Sequence, residues 1–318
     1  MGANRAVRSD QPVFQQTDSL LKETGFLKQF TDKYSEGRGK ALIYSCAALM
    51  IFAVVAITAF LLYEGLRLFI VDHINPFKFI IGTSWMPAAG GFGALPLICG
   101  SLAVTFAAGL LATPIAIGSA IFMTELSKKW GTRIMQPVLE ILAGIPSVVY
   151  GLIGLLVIVP FMRIHFGGSG FSLLAGALVV GIMILPTITS IAADSINAVS
   201  SSLREASYAI GGTKWQTIWN VVLPAAKSNL ITAVVLGMSR AFGEALAVSM
   251  VVGNAPMMPN SLHSFVDPIA TLTTEITSTM SSSTGTQLDA LWSLGLILLV
   301  ISYVFIIIIR FISRKKVA

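Results

Sequence analysis

Six long apolar runs dominate this sequence and limit the folds that it can adopt. The runs lie at about 41–63, 95–124, 137–160, 172–194, 228–252 and 289–311. Each is long enough to cross a bilayer as a helix, which takes about 20 residues. Charged residues make up 11% of the 318 residues, whereas soluble domains carry about 25%. The sequence therefore predicts an all-α membrane protein with six transmembrane helices.

The positions of the basic residues predict the orientation of these helices. If the N-terminus lies in the cytoplasm, seventeen Lys and Arg residues fall in cytoplasmic segments and three in external ones. The cytoplasmic segments would be 1–40, 125–136, 196–227 and 310–318. Basic residues concentrate on the cytoplasmic side of membrane proteins, so we expect both termini to be cytoplasmic. The net charge of +6 then reflects orientation in the membrane, and no nucleic-acid partner is expected.

The same pattern divides the chain into five parts. These are a cytoplasmic N-terminal tail (1–40), a first transmembrane helix (41–71), an external loop (72–94), a five-helix core with a cytoplasmic loop at 196–226 (95–312), and a basic cytoplasmic tail (313–318). Trp85, in the external loop, is a residue type that is enriched where a membrane meets water.

Glycine and proline interrupt the third and fourth apolar runs, at 144–147 and 185–187. Broken helices at membrane depth are tolerated where the backbone lines a cavity. A simple packing kink explains the same residues equally well, and the sequence favours neither interpretation.

The loop at 196–226 carries a polar cassette that contains glycine. Its members are Glu205, Ala206, Ser207, Gly211, Leu223 and Pro224. One of the serines at 200–202 could cap a first short helix, Gly211 and Gly212 would end it, and a second helix would begin near Lys214. A compact helix–turn–helix of this kind could dock in a groove on a soluble partner. From the spacing alone, a loop that packs on its own helix bundle is equally compatible.

Arg240 and Glu244 lie inside the fifth apolar run. A charge at mid-bilayer costs at least about 2.5–3.5 kcal/mol, so it needs a role. The two residues are four apart and are expected to share a helix face, where they could form an ion pair that fixes helix packing. They could also form an anion site, since an arginine fork matches two oxyanion oxygens. Glu244 would then accept a hydrogen bond from a protonated anion such as hydrogen phosphate, which sulfate cannot offer.

Catalytic functions are disfavoured by the sequence. No His lies in a predicted span, and an intramembrane enzyme would need a nucleophile–base or metal set there. The nearest approach to a phosphate-binding P-loop, at 39–41, lacks the first glycine and the hydroxyl that binds Mg²⁺. We therefore expect that the chain does not hydrolyse ATP and holds no cofactor itself. Glu140, near the cytoplasmic end of the third run, is expected to pair with Arg133.

Three segments resemble the phosphate-specific permeases of ATP-binding-cassette (ABC) importers. They are 142–151 (LAGIPSVVYG), the cassette around Glu205, and 239–244 (SRAFGE). The cassette has the family spacing of Glu, Gly and Leu-Pro, but Ser207 and Val221 replace the more usual Ala and Ile. The segments 85–87 (WMP), 92–98 (FGALPLI) and 243–254 resemble the PstC type rather than the partner PstA type.

The resemblance implies a type I ABC importer permease (MetI-like) core in a bacterial or archaeal inner membrane. It implies a pore formed with a PstA-type permease, two copies of a PstB-type ATPase that bind ATP and Mg²⁺, and an external PstS-type phosphate-binding protein. Arg240 and Glu244 would lie on the phosphate path, and the cassette residues would couple the chain to the ATPase. A permease for another oxyanion or small solute, such as sulfate or molybdate, is the alternative. A stand-alone ion-coupled carrier would leave the cassette without a role.

Overall fold

The computed structural model describes residues 11–87, 90–258 and 265–314. The helices are α1 (Gln11–Ile70), α2 (Pro76–Ile81), α3 (Leu95–Ile121), α4 (Lys128–Trp130), α5 (Gln136–Gly144), α6 (Ser147–Ile153), α7 (Val159–Phe166), α8 (Leu173–Asn197), α9 (Ser201–Ala209), α10 (Lys214–Thr217), α11 (Leu223–Phe242), α12 (Leu246–Ser249), α13 (Leu272–Thr279) and α14 (Thr286–Arg314). Single π-helical turns lie at Phe122–Leu126, Gly131–Met135, Gly154–Ile158 and Ile218–Val222. Strands β1 (Trp85–Met86) and β2 (Gly91–Phe92) pair antiparallel.

Six of the described helical segments are long and apolar enough to cross a membrane, which confirms the predicted number. They are Gly39–Ile70, Leu95–Leu126, Ser147–Phe166, Leu173–Asn197, Lys214–Phe242 and Thr286–Phe311. The third begins about ten residues later than predicted, because α5 ends at Gly144 and a new helix starts at Ser147 after extended Ile145. The fourth is continuous through Pro186, so the predicted interruption at 185–187 is wrong.

The chain divides into two compact units, and the boundary along the sequence lies between Phe60 and Leu61. In the first unit, most of the N-terminal tail belongs to α1, which starts at Gln11. Residues 1–10 of that tail and 315–318 of the basic C-terminal tail lie outside the described residues. Side chains of the first unit from Gly39 to Phe60 are almost all exposed, including large apolar ones.

The core of the second unit is built around α8, which packs against α3 and α11. Small residues line these contacts, so the helix backbones approach closely, as is usual between helices in membranes. Gly237 of α11 lies directly against Ile188 of α8, and a Cβ atom on this glycine would lie 2.8 Å from Cδ1 of Ile188. This crossing brings the end of α11 beside the middle of α8.

A second core cluster lies around the short strands and α13. Trp85 is 5% exposed and meets Phe79 and Phe92 edge to face. Its indole Nε1 donates a hydrogen bond of 2.8 Å to Oε1 of buried Glu275. Trp85 is therefore a core residue that packs inside the protein rather than facing lipid. Its indole N–H has a protein partner and does not need water.

Candidate functional site

The cassette folds as a hairpin of α9 and α10, called here the α9–α10 hairpin (residues 200–217). Ser200 caps α9, and its Oγ accepts a hydrogen bond from the Ser202 backbone N–H at 3.3 Å. Gly211, after α9, has φ +84°, a left-handed conformation that favours glycine. Thr213 then forms a capping box with Gln216 at the start of α10. The predicted helix–turn–helix is confirmed, because caps and glycine specify it locally.

The side chains of the cassette point in different directions. Glu205 and Ala206 are exposed. Ser207 is buried, and its Oγ lies 2.8 Å from Oγ1 of Thr217, so a hydroxyl–hydroxyl hydrogen bond joins α9 to α10. An alanine at position 207 could not make this bond. Ser207 therefore stabilises the hairpin from inside, whereas Glu205 and Ala206 face outward.

Leu223 and Pro224 begin α11, which continues from the hairpin through the π-helical turn Ile218–Val222. Proline is favourable in a first helical turn, where its missing N–H costs nothing. The hairpin is thus attached to the fifth span by uninterrupted helix. Tyr208 and Trp215 are about half exposed on the hairpin, as side chains that anchor a protein interface would be.

Arg204 connects the hairpin to two other spans, a role that the sequence did not indicate. Its Nε and Nη2 atoms lie 3.1 and 2.8 Å from Oε1 of Glu125, which follows α3. The same guanidinium donates to the backbone oxygens of Ile196 and Val199 at the end of α8. The only sequence signal was a basic residue directly before Glu205.

Arg240 lies in the last turn of α11 with an exposed side chain. Its Nη1 donates a hydrogen bond of 2.8 Å to Oγ1 of Thr187, which lies on α8. Among the described residues, Thr187 is its one hydrogen-bond partner in the structure, so the rest of its planar fork is available to a ligand.

The expected ion pair between Arg240 and Glu244 is absent from the described residues. Helix α11 ends at Phe242, and Gly243 follows. Glu244 therefore leaves the helix face on which Arg240 lies. Its Oε1 instead accepts a hydrogen bond of 3.1 Å from the backbone N–H of Ala247. The prediction of a shared face fails because it assumed a continuous helix through Gly243.

A polar cavity of about 290 Å³ lies beside Thr187. One face of α8 lines it with Thr187, Ser190, Asp194 and Asn197, at spacings that fall on one side of a helix. Gln136 and Glu140 of α5 line it from the other side. Ser190, Asp194 and Asn197 are exposed, although α8 is otherwise mostly buried. An exposed polar stripe of this kind on a spanning helix would be unfavourable against lipid.

Two sequence expectations near this cavity have different outcomes. Glu140 accepts a hydrogen bond of 3.1 Å from Nε2 of Gln136, one helical turn earlier, and no ion pair with Arg133 is present among the described residues. The break between α5 and α6 does lie near the cavity, since Ala143 lines it. Across this break, the Tyr150 hydroxyl donates a 2.8 Å hydrogen bond to the backbone oxygen of Leu142.

Comparison with known proteins defines the class to which this architecture belongs. The family model described as "Binding-protein-dependent transport system inner membrane component" matches residues 112–317. The chain belongs to this family. It is therefore a multi-pass inner-membrane transport subunit rather than an enzyme, and it acts with a second permease, an ATPase and a binding protein.

Individual relatives agree with this assignment. The chain is 51% identical over 286 residues to the "Probable ABC transporter permease protein YqgH" of Bacillus subtilis, covering 88% of this chain and 92% of the relative. It is 36% identical over 259 residues to the "Phosphate transport system permease protein PstC" of Pasteurella multocida, covering 75% and 80%. The PstC of Xylella fastidiosa is 32% identical over 301 residues, covering 87% and 91%.

Solved structures support the fold. An inward-facing structure of the MetNI methionine ABC transporter matches 68% of this chain and 92% of its own, with a TM-score of 0.52 and 20% identity. A bacterial ABC transporter involved in import of the acidic polysaccharide alginate matches 85% of this chain and 96% of its own, with a TM-score of 0.50 and 15% identity. The fold is that of a type I ABC importer permease.

Proposed function

We propose that this chain is the membrane-spanning permease subunit of an ATP-driven importer of inorganic phosphate. Its partners would be a PstA-type permease, two PstB-type ATPase subunits and an external PstS-type phosphate-binding protein. The observation that carries the proposal is Arg240, an exposed arginine in the last turn of a spanning helix, whose side chain is held by the neutral hydroxyl of Thr187. The names of the PstC relatives point to the same substrate.

The geometry at Arg240 suits a tetrahedral oxyanion. One nitrogen of the guanidinium is fixed by Thr187, so the plane of the fork is oriented before a ligand arrives. The remaining N–H groups can donate two parallel hydrogen bonds to two oxygens of one anion. An exposed charge on a spanning helix is costly against lipid, so we infer that this face of α11 borders the path shared with the second permease.

Glu244 would supply selectivity within this path. One of its oxygens is engaged by Ala247, and the carboxylate can still accept a proton-bearing oxygen of hydrogen phosphate. Sulfate has no proton at neutral pH and would face the carboxylate without a hydrogen bond, which is unfavourable. A permease for sulfate or molybdate remains the alternative, and competition experiments distinguish the two.

The α9–α10 hairpin would couple the chain to the ATPase. Exposed Glu205 and Ala206 and the half-exposed aromatic residues Tyr208 and Trp215 form the surface for docking. In this proposal both termini and the hairpin are cytoplasmic, because ATP is there. ATP and Mg²⁺ would bind the ATPase partner. Conformational changes of the ATPase would displace the docked hairpin of this chain.

Uptake of radiolabelled phosphate by cells with the complete transporter tests the proposal. Arg240→Gln should abolish high-affinity uptake while the complex assembles at the same level in the membrane. Arg163→Gln is the matched control, since it removes one exposed positive charge from the last turn of α7. Unlabelled sulfate in excess should not compete. Undiminished uptake by Arg240→Gln would remove Arg240 from the path, and strong competition by sulfate would favour the alternative substrate.

A further inference from the structure

Arg204 makes polar contacts between the α9–α10 hairpin and the ends of two spans that do not continue from it. It bonds Glu125 after α3, the backbone oxygen of Ile196 in the last turn of α8, and the backbone oxygen of Val199 just after α8. The Arg204 and Glu125 side chains are 20% and 9% exposed. Buried hydrogen bonds to a charged group are stronger than those at a surface. Arg204 therefore holds three elements together as one body.

The position of Arg204 separates it from the surface available to a partner. Glu205, the next residue, is exposed, whereas Arg204 turns inward to the ends of the spans. The last carbonyl groups of a helix lack intrahelical partners, and a cation there also interacts favourably with the helix dipole. The guanidinium supplies both interactions at the end of α8. Its environment is thus that of an internal connection, and not of a docking residue.

The two ends of the hairpin are attached to the spans in different ways. One end continues into α11 through helical backbone, so movement of the hairpin must move α11. The other end reaches α8 through the non-helical residues 198–200, which can absorb movement. Arg204 bridges this weak connection directly. Arg204 therefore adds a direct link between the hairpin and α8 to the packing that already joins α8 to α11.

Joint movement matters because the proposed anion site spans α8 and α11. Thr187 lies on α8 and Arg240 on α11. Thr187 is ten residues from the end of α8 at Asn197, a distance of about 15 Å along a rigid helix. If α11 moved alone, the hydrogen bond between Arg240 and Thr187 would break. Movement of both helices together preserves the site while the path opens and closes.

We propose that Arg204 is a positioning residue that makes α8 move with α11 when the hairpin is displaced. The proposal rests on the function proposed above for the hairpin and for Arg240. It concerns efficiency of coupling rather than assembly or ATP hydrolysis. Loss of Arg204 should therefore leave ATP hydrolysis active and reduce the amount of phosphate moved for each ATP.

The test uses the complete transporter in proteoliposomes with its binding protein. ATP hydrolysis and uptake of labelled phosphate are measured in the same preparation for Arg204→Gln, Arg204→Lys and Glu125→Gln. Arg133→Gln is the matched control, because Arg133 is an exposed cation outside these contacts. Arg204→Gln should lower the ratio of phosphate to ATP by about 2- to 30-fold, the range of coupling effects for such residues. Lysine should not restore it, because its donors all lie on one nitrogen, whereas Arg204 reaches its acceptors with three nitrogens of a planar fork.

Glu125→Gln should lower the ratio of phosphate to ATP less than Arg204→Gln does. The amide oxygen at position 125 can still accept a hydrogen bond from Arg204, and the bonds of Arg204 to the backbone oxygens of Ile196 and Val199 remain. An unchanged ratio in Arg204→Gln would overturn the proposal, as would an equal loss of both activities in an assembled complex. If Arg204→Gln does not assemble, the ratio in Glu125→Gln decides in the same way.

A distance measurement separates this proposal from the choice of substrate. Spin labels at exposed Leu203 and Ile182, with Cys46 and Cys99 replaced by alanine, report the separation of the hairpin and α8. In otherwise natural protein the separation should be the same with and without ATP, and in Glu125→Gln or Arg204→Gln it should change when ATP is added. An ATP-dependent change in the otherwise natural protein would overturn the proposal. Failure of phosphate uptake in the natural transporter would instead refute the proposed substrate.

Discussion

Replacement of Gly237 by alanine should disrupt the crossing of α8 and α11 and, with it, the anion site. The added Cβ would lie 2.8 Å from Cδ1 of Ile188 and closer still to its Cγ1. Carbon atoms prefer separations of about 3.5–4.0 Å, so the helices must separate locally by about 1 Å. Ile188 is fully buried, and protein interiors are close-packed. Overpacking of this kind costs about 1–3 kcal/mol of folding free energy.

The same displacement should weaken phosphate uptake. Arg240 lies one helical turn after Gly237, and a shift of about 1 Å would stretch its 2.8 Å hydrogen bond to Thr187 beyond bonding distance. Hydrogen bonds to charged groups contribute about 1.5–3 kcal/mol. Because Arg240 is exposed, we discount this to about 1 kcal/mol, or about fivefold in the rate or affinity of uptake. Uptake kinetics and thermal unfolding of the detergent-solubilised complex measure the two effects.

Gly118→Ala is the matched control for this experiment. Gly118 is also a glycine of a spanning helix, but a Cβ there would meet no atom within 4 Å. Its replacement should change neither uptake nor the unfolding temperature appreciably. If Gly237→Ala behaved like Gly118→Ala in both assays, the close packing of α8 on α11 would not be what positions Arg240, and the reasoning would be refuted.

Three further predictions concern other parts of the molecule. Ser207→Ala should destabilise the hairpin by about 1 kcal/mol, the usual net value of a neutral hydrogen bond. Hydrogen exchange of the α9 amides measures this effect. The control is Ser201→Ala, at an exposed position, which should have no effect. Glu244→Gln keeps an oxygen that can accept the hydrogen bond from the Ala247 N–H, but it adds an N–H donor that could bond an oxygen of sulfate. Sulfate should therefore compete better with phosphate for uptake, and unchanged competition would refute the role of Glu244 in selectivity. Burial raises the pKa of the Glu275 carboxyl, against a smaller lowering by the Trp85 hydrogen bond. The folded state then binds the proton more tightly than the unfolded state, so stability falls as pH rises from the ordinary glutamate pKa through the raised one. Glu275→Gln should make the thermal unfolding midpoint depend less on pH over that range. An equally steep dependence on pH in the variant would contradict the raised pKa of Glu275.

The spans and the hairpin could be predicted because their causes are local. Runs of apolar residues specify helices that cross a bilayer, and Ser200, Gly211 and the capping box at Thr213 end or begin short helices through contacts within a few residues. The two errors along the helices have different origins. Pro186 lies inside a continuous helix because tertiary packing can override local preference. Gly243 ends a helix, as glycine often does, and the prediction of a shared face gave this local signal too little weight.

The sequence alone determined the class of this protein: a six-helix inner-membrane permease with a polar hairpin and two charged residues inside the fifth apolar run. Only the tertiary structure decided which residues act together. Arg240 bonds Thr187 across 53 positions, Arg204 bonds Glu125 across 79, and Trp85 bonds Glu275 across 190. Sequence periodicity describes which face of one helix is apolar, but it does not set how two helices cross. The crossings depend on close contacts such as Gly237 against Ile188, and these determine which polar side chains meet.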